Sequence, residues 1–269
     1  MTNKRRILLS ITLLIAAVGF VSWLILSQPG EPVYHGKPLS YWCDQYAENY
    51  APVPNMAPVK QAEIAIRTIG TNGVPTLLRL LKAKDSKFKT KFIQFAQKQH
   101  VITVKWEPAS LKNGQALVGF SILGPLGKSA VPALLEIYNE HRNGPWGQSD
   151  GIAEIFASMG PAAAEAVPQL SQDTANANLF IRFRAVRALR QIHARPGLAV
   201  PALTRALLDQ DYGVRTDAAL SLGEFGTDAT SAVPELIKAL GDPSSVVRDQ
   251  AASALKKIDP EAAAQAGVK

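Results

Sequence analysis

A chain of 269 residues that is 47% hydrophobic and carries a net charge of +7 is too apolar to remain disordered. Its single cysteine, Cys43, excludes an intramolecular disulfide and any multi-cysteine metal site. The charge is uneven, with +3 over residues 1–30, −1 over 31–60, +8 over 61–128 and −3 over 129–269, so the basic excess lies at the N-terminus and from Arg79 to Lys112.

Lys4, Arg5 and Arg6 precede an uncharged run from Ile7 to Leu26. As a helix this run spans about 30 Å, the thickness of a bilayer's hydrocarbon core. Trp23 then falls near the far interface, where an indole is favoured, and the three cations stay on the cytoplasmic side. The expected arrangement is a cytoplasmic basic tail at 1–6 and a single-pass transmembrane anchor at 7–26 in a bacterial cytoplasmic membrane, with the rest of the chain outside. Secretion after signal cleavage is the alternative. The end of the run, Trp23 to Ser27, has no small-x-small cleavage site, which favours the anchor. Residues 27–38, with Pro29, Gly30, Pro32 and Gly36, read as a tether.

Leu39, Trp42, Cys43 and Tyr46 recur at three- and four-residue steps and predict a helix from Leu39 to Tyr50. Cys43 reads there as a half-buried helix residue, since nothing around it activates a thiol. Pro52 and Pro54 break the pattern, and a second helix from Pro58 to Ile69 stops at Gly70. Gly73-Val74-Pro75 opens the next, with proline in the first turn, where an N–H would be unpaired anyway. Asp85 to Gln99 reads as a further helix on Phe88, Phe92, Ile93 and Phe95. Val101 to Trp106 alternates like a short strand or extended connector, and a helix from Pro108 to Leu123 ends at Gly124.

Beyond this point a repeat becomes plain. Val200-Pro201-Ala202-Leu203, Asp209, Val214-Arg215, Ala218-Ala219 and Leu222 return 33 residues later as Val233-Pro234-Glu235-Leu236, Asp242, Val247-Arg248, Ala251-Ala252 and Leu255. Proline marks stand at Pro132, Pro168, Pro201 and Pro234, and eight residues before each the preceding helix ends, at Gly124, Gly160, His193 and Gly226. Pro75 lies 57 residues before Pro132, so that repeat carries an insertion around 87–113. A period of this length belongs to stacked units, because one unit cannot bury its own apolar face. The expected fold is an all-α α-solenoid of stacked antiparallel helix pairs over 39–269, with regular repeats at 129–260. The abundant alanine towards the C-terminus suits closely approaching helices.

Ala-Val-Pro-x-Leu, then Asp, then Val-Arg-x-x-Ala-Ala-x-x-Leu-Gly resembles the HEAT repeat, above all the bacterial HEAT-like type of the bilin lyases. The resemblance is strong over Pro161 to Ile258, fair over Ala116 to Gly160 and weaker over Leu39 to Gly114. Ala65 to Asn72 and Lys82 to Ser86 are similar to segments of bacterial membrane-anchored HEAT proteins. The resemblance implies two antiparallel helices per repeat, the second lining a concave surface. It also implies a structural task for Arg182, Arg215 and Arg248, which stand six residues after Asn176, Asp209 and Asp242. Each would tie the turn of one repeat to that of its neighbour, a task suited to an arginine fork. Asn176 and His193 depart from the pattern, replacing its Asp and Gly.

Site chemistry is sparse. His35, His100, His141 and His193 have no metal-ligand spacing, and the chain lacks the His-Glu dipeptide through which HEAT-fold hydroxylases hold iron. There is no Gly-x-Ser-x-Gly, phosphate-binding loop or dinucleotide fingerprint. No catalytic residue, cofactor or metal is expected. On the second helices, Arg184, Arg187 and Gln191 share a stripe, and their equivalents are Asp217, Leu220 and Glu224, then Gln250, Ser253 and Lys257. Side chains that vary over a constant frame are candidates for contact with a protein or peptide partner.

A basic patch at Lys84, Lys87, Lys89, Lys91 and Lys98 is a second candidate, for anionic lipid or an acidic envelope polymer. Nucleic acid is not expected outside the cytoplasm. The readings converge on a membrane-anchored, non-catalytic protein–protein interaction scaffold. The alternative is an enzyme or enzyme subunit of the HEAT-like lyase type with a small ligand in the groove. A specific site is expected where the repeat is broken, between Leu39 and Gly124.

Overall fold

The computed structural model describes residues 30–50, 55–86, 107–142 and 148–268. The basic tail, the anchor at 7–26, most of the helix expected from Asp85, the 101–106 run and Lys87, Lys89, Lys91 and Lys98 lie outside the described residues.

Among the described residues the helices follow in pairs. The first are α1 (Leu39–Tyr50) with α2 (Met56–Ile69), α3 (Val74–Leu81) with α4 (Ala109–Leu123), and α5 (Val131–His141) with α6 (Gln148–Met159). Then come α7 (Val167–Asp173) with α8 (Leu179–Ile192), α9 (Pro196–Ala206) with α10 (Tyr212–Phe225), and α11 (Val233–Ala239) with α12 (Ser245–Ile258). A short α13 (Pro260–Gln265) follows. The second helices α4, α6, α8, α10 and α12 pack successively on one another. The apolar stripes merge into one connected core that runs from Leu39 to Ala263, so each repeat borrows its neighbour's surface to bury its own. The chain is mostly helical with repeat-like helix pairs, consistent with an all-α solenoid.

The repeat junctions show how sequence punctuation becomes geometry. α2, α4, α6 and α10 stop at Gly70, Gly124, Gly160 and Gly226, which take φ of 58°, 52°, 55° and 56°. Glycine enters this left-handed region without the Cβ clash that other residues suffer. Each glycine opens a 3-10 turn that hands the chain to the next helix, over Gly70–Gly73, Gly124–Ala130, Gly160–Ala166 and Gly226–Ala232. The α8 end is the exception. His193 takes φ 45° and Arg195 φ 50°, and Pro196 starts α9 at once, leaving Pro201 inside that helix. The His193 ring stacks on Phe225 at 4.5 Å between centroids, a contact that offsets the cost of its backbone conformation.

Part of the expected tether is folded. Val33–Tyr34 (β1) pairs antiparallel with Lys37–Pro38 (β2), across a two-residue turn with His35 at φ 47° and Gly36 at φ 71°. Leu39 N–H donates to the Pro32 carbonyl at 3.0 Å, Ser40 N–H to Glu31 Oε2 at 2.9 Å and Trp42 Nε1 to the Tyr34 carbonyl at 3.3 Å. The hairpin is thereby stitched to α1. Strands of two residues carry no periodicity, which is why the sequence showed only turn formers.

Cys43 also differs from expectation: it is fully buried, not half-buried. Burial, with Asp44 and Glu31 nearby, pushes its thiol up to about 12. It is an inert core residue.

The insertion is pinned where it leaves and returns. The Asp85 carboxylate accepts the Ala109 N–H at 3.2 and 3.1 Å, at the start of α4. Asn113 Nδ2 donates to the carbonyls of Leu80 and Leu81 at 2.9 and 2.8 Å, at the end of α3. The apolar stretch Ala109–His141 is the two helices α4 and α5 joined through the turn at Gly124, and 50% of its most apolar window is buried against the rest of the chain. That burial makes it a core element of the stack.

Candidate functional site

The arginines at the repeat period form a ladder along the inter-helix turns. Arg182 donates from Nε and Nη2 to Asp209 at 2.6 and 3.0 Å, and from Nη1 to the carbonyls of Asn176 and Ala177 at 3.0 and 3.1 Å. Arg215 repeats this on Asp242 at 2.7 and 2.9 Å and on the carbonyls of Asp209 and Gln210 at 2.8 and 3.1 Å. Burial alone would raise the Asp209 carboxyl, but the Arg182 fork and the Asp211 N–H hold it below its ordinary value. At Asp242 the Arg215 fork outweighs burial and does the same, helped by the Ser244 N–H. These side chains bind each other and the turns.

N-terminal to Asn176 a different tie takes over. Arg142 Nη1 reaches Asp173 Oδ1 at 2.7 Å, and the Tyr138 hydroxyl donates to Asp173 Oδ2 at 2.8 Å. Asp173 is 2% exposed. This buried group gave no sequence signal, because it stands three residues before the ladder position and does not recur at the period.

The face of the second helices carries the groove. Between α6 and α8 a depression of about 220 Å³ is lined by Glu154, Ser158, Arg184, Arg187 and Gln191 over a floor of alanines. Three arginines of α8 alternate with carboxylates on the helices either side. Arg184 Nη1 meets Glu154 Oε1 at 2.7 Å, Arg187 Nε lies 4.0 Å from Asp217 and Arg190 Nη1 lies 3.5 Å from Glu224. The Arg187 side chain is 51% exposed and its guanidinium also lies 5.5 Å from the Phe183 ring centre. Arg190 is more deeply set, and its Nε is buried without a hydrogen-bond partner. Burial raises the Asp217 carboxyl despite the opposing pull of Arg190 and Arg187.

A second depression of about 340 Å³ adjoins the first through Glu154 and is lined by Tyr46, Glu63, Arg67, Leu117 and Ser121. The groove therefore runs from the first helix pairs onto α8.

Of the residues singled out in sequence, the structure brings Arg184, Arg187 and Gln191 into one depression. It sets Asp217 and Glu224 opposite Arg187 and Arg190. Gln250 and Lys257 sit on α12, beyond this depression. Lys84 is exposed in the segment after α3. Glu154 and Arg190 were missed: Arg190 adjoins the chosen stripe, and Glu154 lies in the less regular repeat. The two depressions together span both the regular repeats and the broken part.

Residues 201–266 match the family of HEAT repeats. No curated protein matches the sequence. Among solved structures, an engineered protein is similar at 18% identity and a TM-score of 0.46, over 82% of this chain and 96% of its own. A second engineered protein has the same identity and TM-score over 84% and 72%. Human deoxyhypusine hydroxylase, solved with glycerol, is similar at 17% identity and a TM-score of 0.34, over 85% and 88%. The family match and the stacked helix pairs support a HEAT-like repeat protein.

Proposed function

We propose that this chain is a non-catalytic binding scaffold, held at the outer face of a bacterial cytoplasmic membrane by residues 7–26, whose second-helix groove takes an extended segment of a partner protein. The observation that carries the reading is the convergence of Arg184, Arg187 and Gln191 with Glu154 over a floor of small side chains. Alanines bring a partner's backbone close, and the bordering charges supply hydrogen bonds of both polarities to its peptide groups. Arg187 is the group best placed to change partners. It is half exposed and only loosely paired with Asp217, so turning to an incoming carboxylate or carbonyl sacrifices little. HEAT repeats generally serve protein–protein contact, which supports the same reading.

Crosslinking and mass spectrometry from native membranes tests it. A specific protein partner is expected with the wild-type chain and is expected to be lost with Arg187→Gln, which keeps a neutral polar group beside Asp217, while the melting temperature falls only slightly. Recovery of no protein partner, together with a small molecule that raises the melting temperature, would overturn the proposal in favour of a ligand-binding enzyme.

A further inference from the structure

The repeat changes character on the exposed face of α9. Leu198, Pro201, Arg205 and Leu208 recur at three- and four-residue steps, so they form one stripe about 15 Å long over the helix and its last turn. One period earlier the same positions hold Glu165, Pro168, Gln172 and Ala175, and one period later Ser231, Pro234, Lys238 and Gly241. Only the proline is constant. At the two ends of the stripe the neighbouring repeats carry polar or small residues, whereas here both are leucine. Leu198 is 46% exposed and Leu208 75% exposed.

Arg205 departs from its equivalents in charge pairing as well. Lys238 meets Glu235 at 2.9 Å, one turn back on its own helix. The residue in the place of Glu235 is Ala202, which is fully buried in the core. Among the described residues no hydrogen bond or ion pair engages the Arg205 guanidinium. It also stands where two depressions meet. One, of about 300 Å³, lies between α7 and α9 against Gln172, Leu198 and Pro201. The other, of about 440 Å³, continues along the turns past Asn176, Leu208 and Gln210. Among the described residues that line them Asp209 alone carries a carboxylate, and the Arg182 fork and the Asp211 N–H already occupy it. The trough thus offers two apolar anchors with an uncompensated positive charge between them.

We propose that this trough docks a partner protein through a short segment that carries a carboxylate between two apolar side chains. The carboxylate meets Arg205, and the apolar groups cover Leu198 and Leu208. Charge selects the occupant: a basic or neutral segment leaves the guanidinium as it is, whereas a carboxylate gains a fork of donors that no internal group uses. The leucines add area that only a partner can bury, since the same positions in the neighbouring repeats hold nothing large and apolar. The trough lies along the first helices and the groove of α6 and α8 along the second, so the two surfaces stand or fall separately.

The probe is the photoreactive residue benzoylphenylalanine placed at Gln172, on the rim of the trough, in the full-length chain in native membranes. Irradiation is expected to crosslink a partner protein, and mass spectrometry to map the bond to a segment with Asp or Glu between apolar residues. Two further substitutions each install the residue of a neighbouring repeat, so the melting temperature is expected to hold: Arg205→Gln copies Gln172, and Leu208→Ala copies Ala175. Either is expected to lower the crosslink yield about tenfold, while Arg187→Gln in the groove leaves it unchanged. A yield indifferent to either trough substitution, or one that follows Arg187→Gln, would overturn the proposal. So would the absence of a crosslink, or one to lipid, to a second copy of this chain or to a segment without a carboxylate.

Discussion

At Asp209 and Asp242 one carboxylate closes a turn, receives an arginine fork and joins two repeats. Both carboxyls are held below their ordinary value, so their contribution is fully present above the unfolded carboxylate value and is lost as pH falls through the folded one. Asp217 works in the opposite sense: its raised carboxyl favours the fold as acid protonates it. Asp209→Asn separates the ladder from the turn, because Asn176 already shows that asparagine closes the same turn, its Oδ1 accepting the Asn178 N–H at 2.9 Å. The variant is expected to lose about 2 kcal/mol at neutral pH. Below about pH 4 its stability should fall less steeply than that of the wild type. Urea unfolding at pH 7 and pH 3 checks this, and parallel curves would remove the ladder as the source. The ladder was legible because Arg and Asp recur at a fixed spacing. The Arg142, Asp173 and Tyr138 group was not, because a single buried tie has no period.

Between α10 and α12 the interface turns on a hydrogen atom. A Cβ built on Gly223 would stand 2.9 Å from the Ala254 Cα and 3.1 Å from its Cβ. The nearer atom is backbone, so relief requires the helices to part. In an exposed helix Gly→Ala stabilises by about 1 kcal/mol. Gly223→Ala is expected to reverse that sign and destabilise by about 1–3 kcal/mol, the usual cost of overpacking. Thermal unfolding decides it, and a stabilised variant would show that the two helices are not in close contact. Small-residue composition foretold such tight pairs without saying which glycine mattered. The hairpin of β1 and β2 lay beyond sequence reading altogether. Its strands are too short for a pattern, and its stability comes from hydrogen bonds to α1.

For the whole molecule, the expected orientation puts the stack outside the cytoplasm. Alkaline phosphatase fused after Gly30 is expected to be active in cells, and an inactive fusion of normal abundance would reverse the orientation. The sequence by itself determined the architecture. A constant period forces every repeat to present the same apolar stripe, and glycine and proline at matching offsets place the helix ends. Tertiary structure decided which charged side chains face one another. The stripe of Arg184, Arg187 and Gln191 was visible from helical spacing, but Glu154 and Arg190 joined it only through the packing of α6, α8 and α10. The same holds for Arg248, which shares with Arg215 the aspartate six residues before it, the preceding valine and the following alanine pair, and differs in what its Nε and Nη2 meet. Periodicity is a property of the chain, whereas occupancy of a fork depends on what the neighbouring turn places within reach.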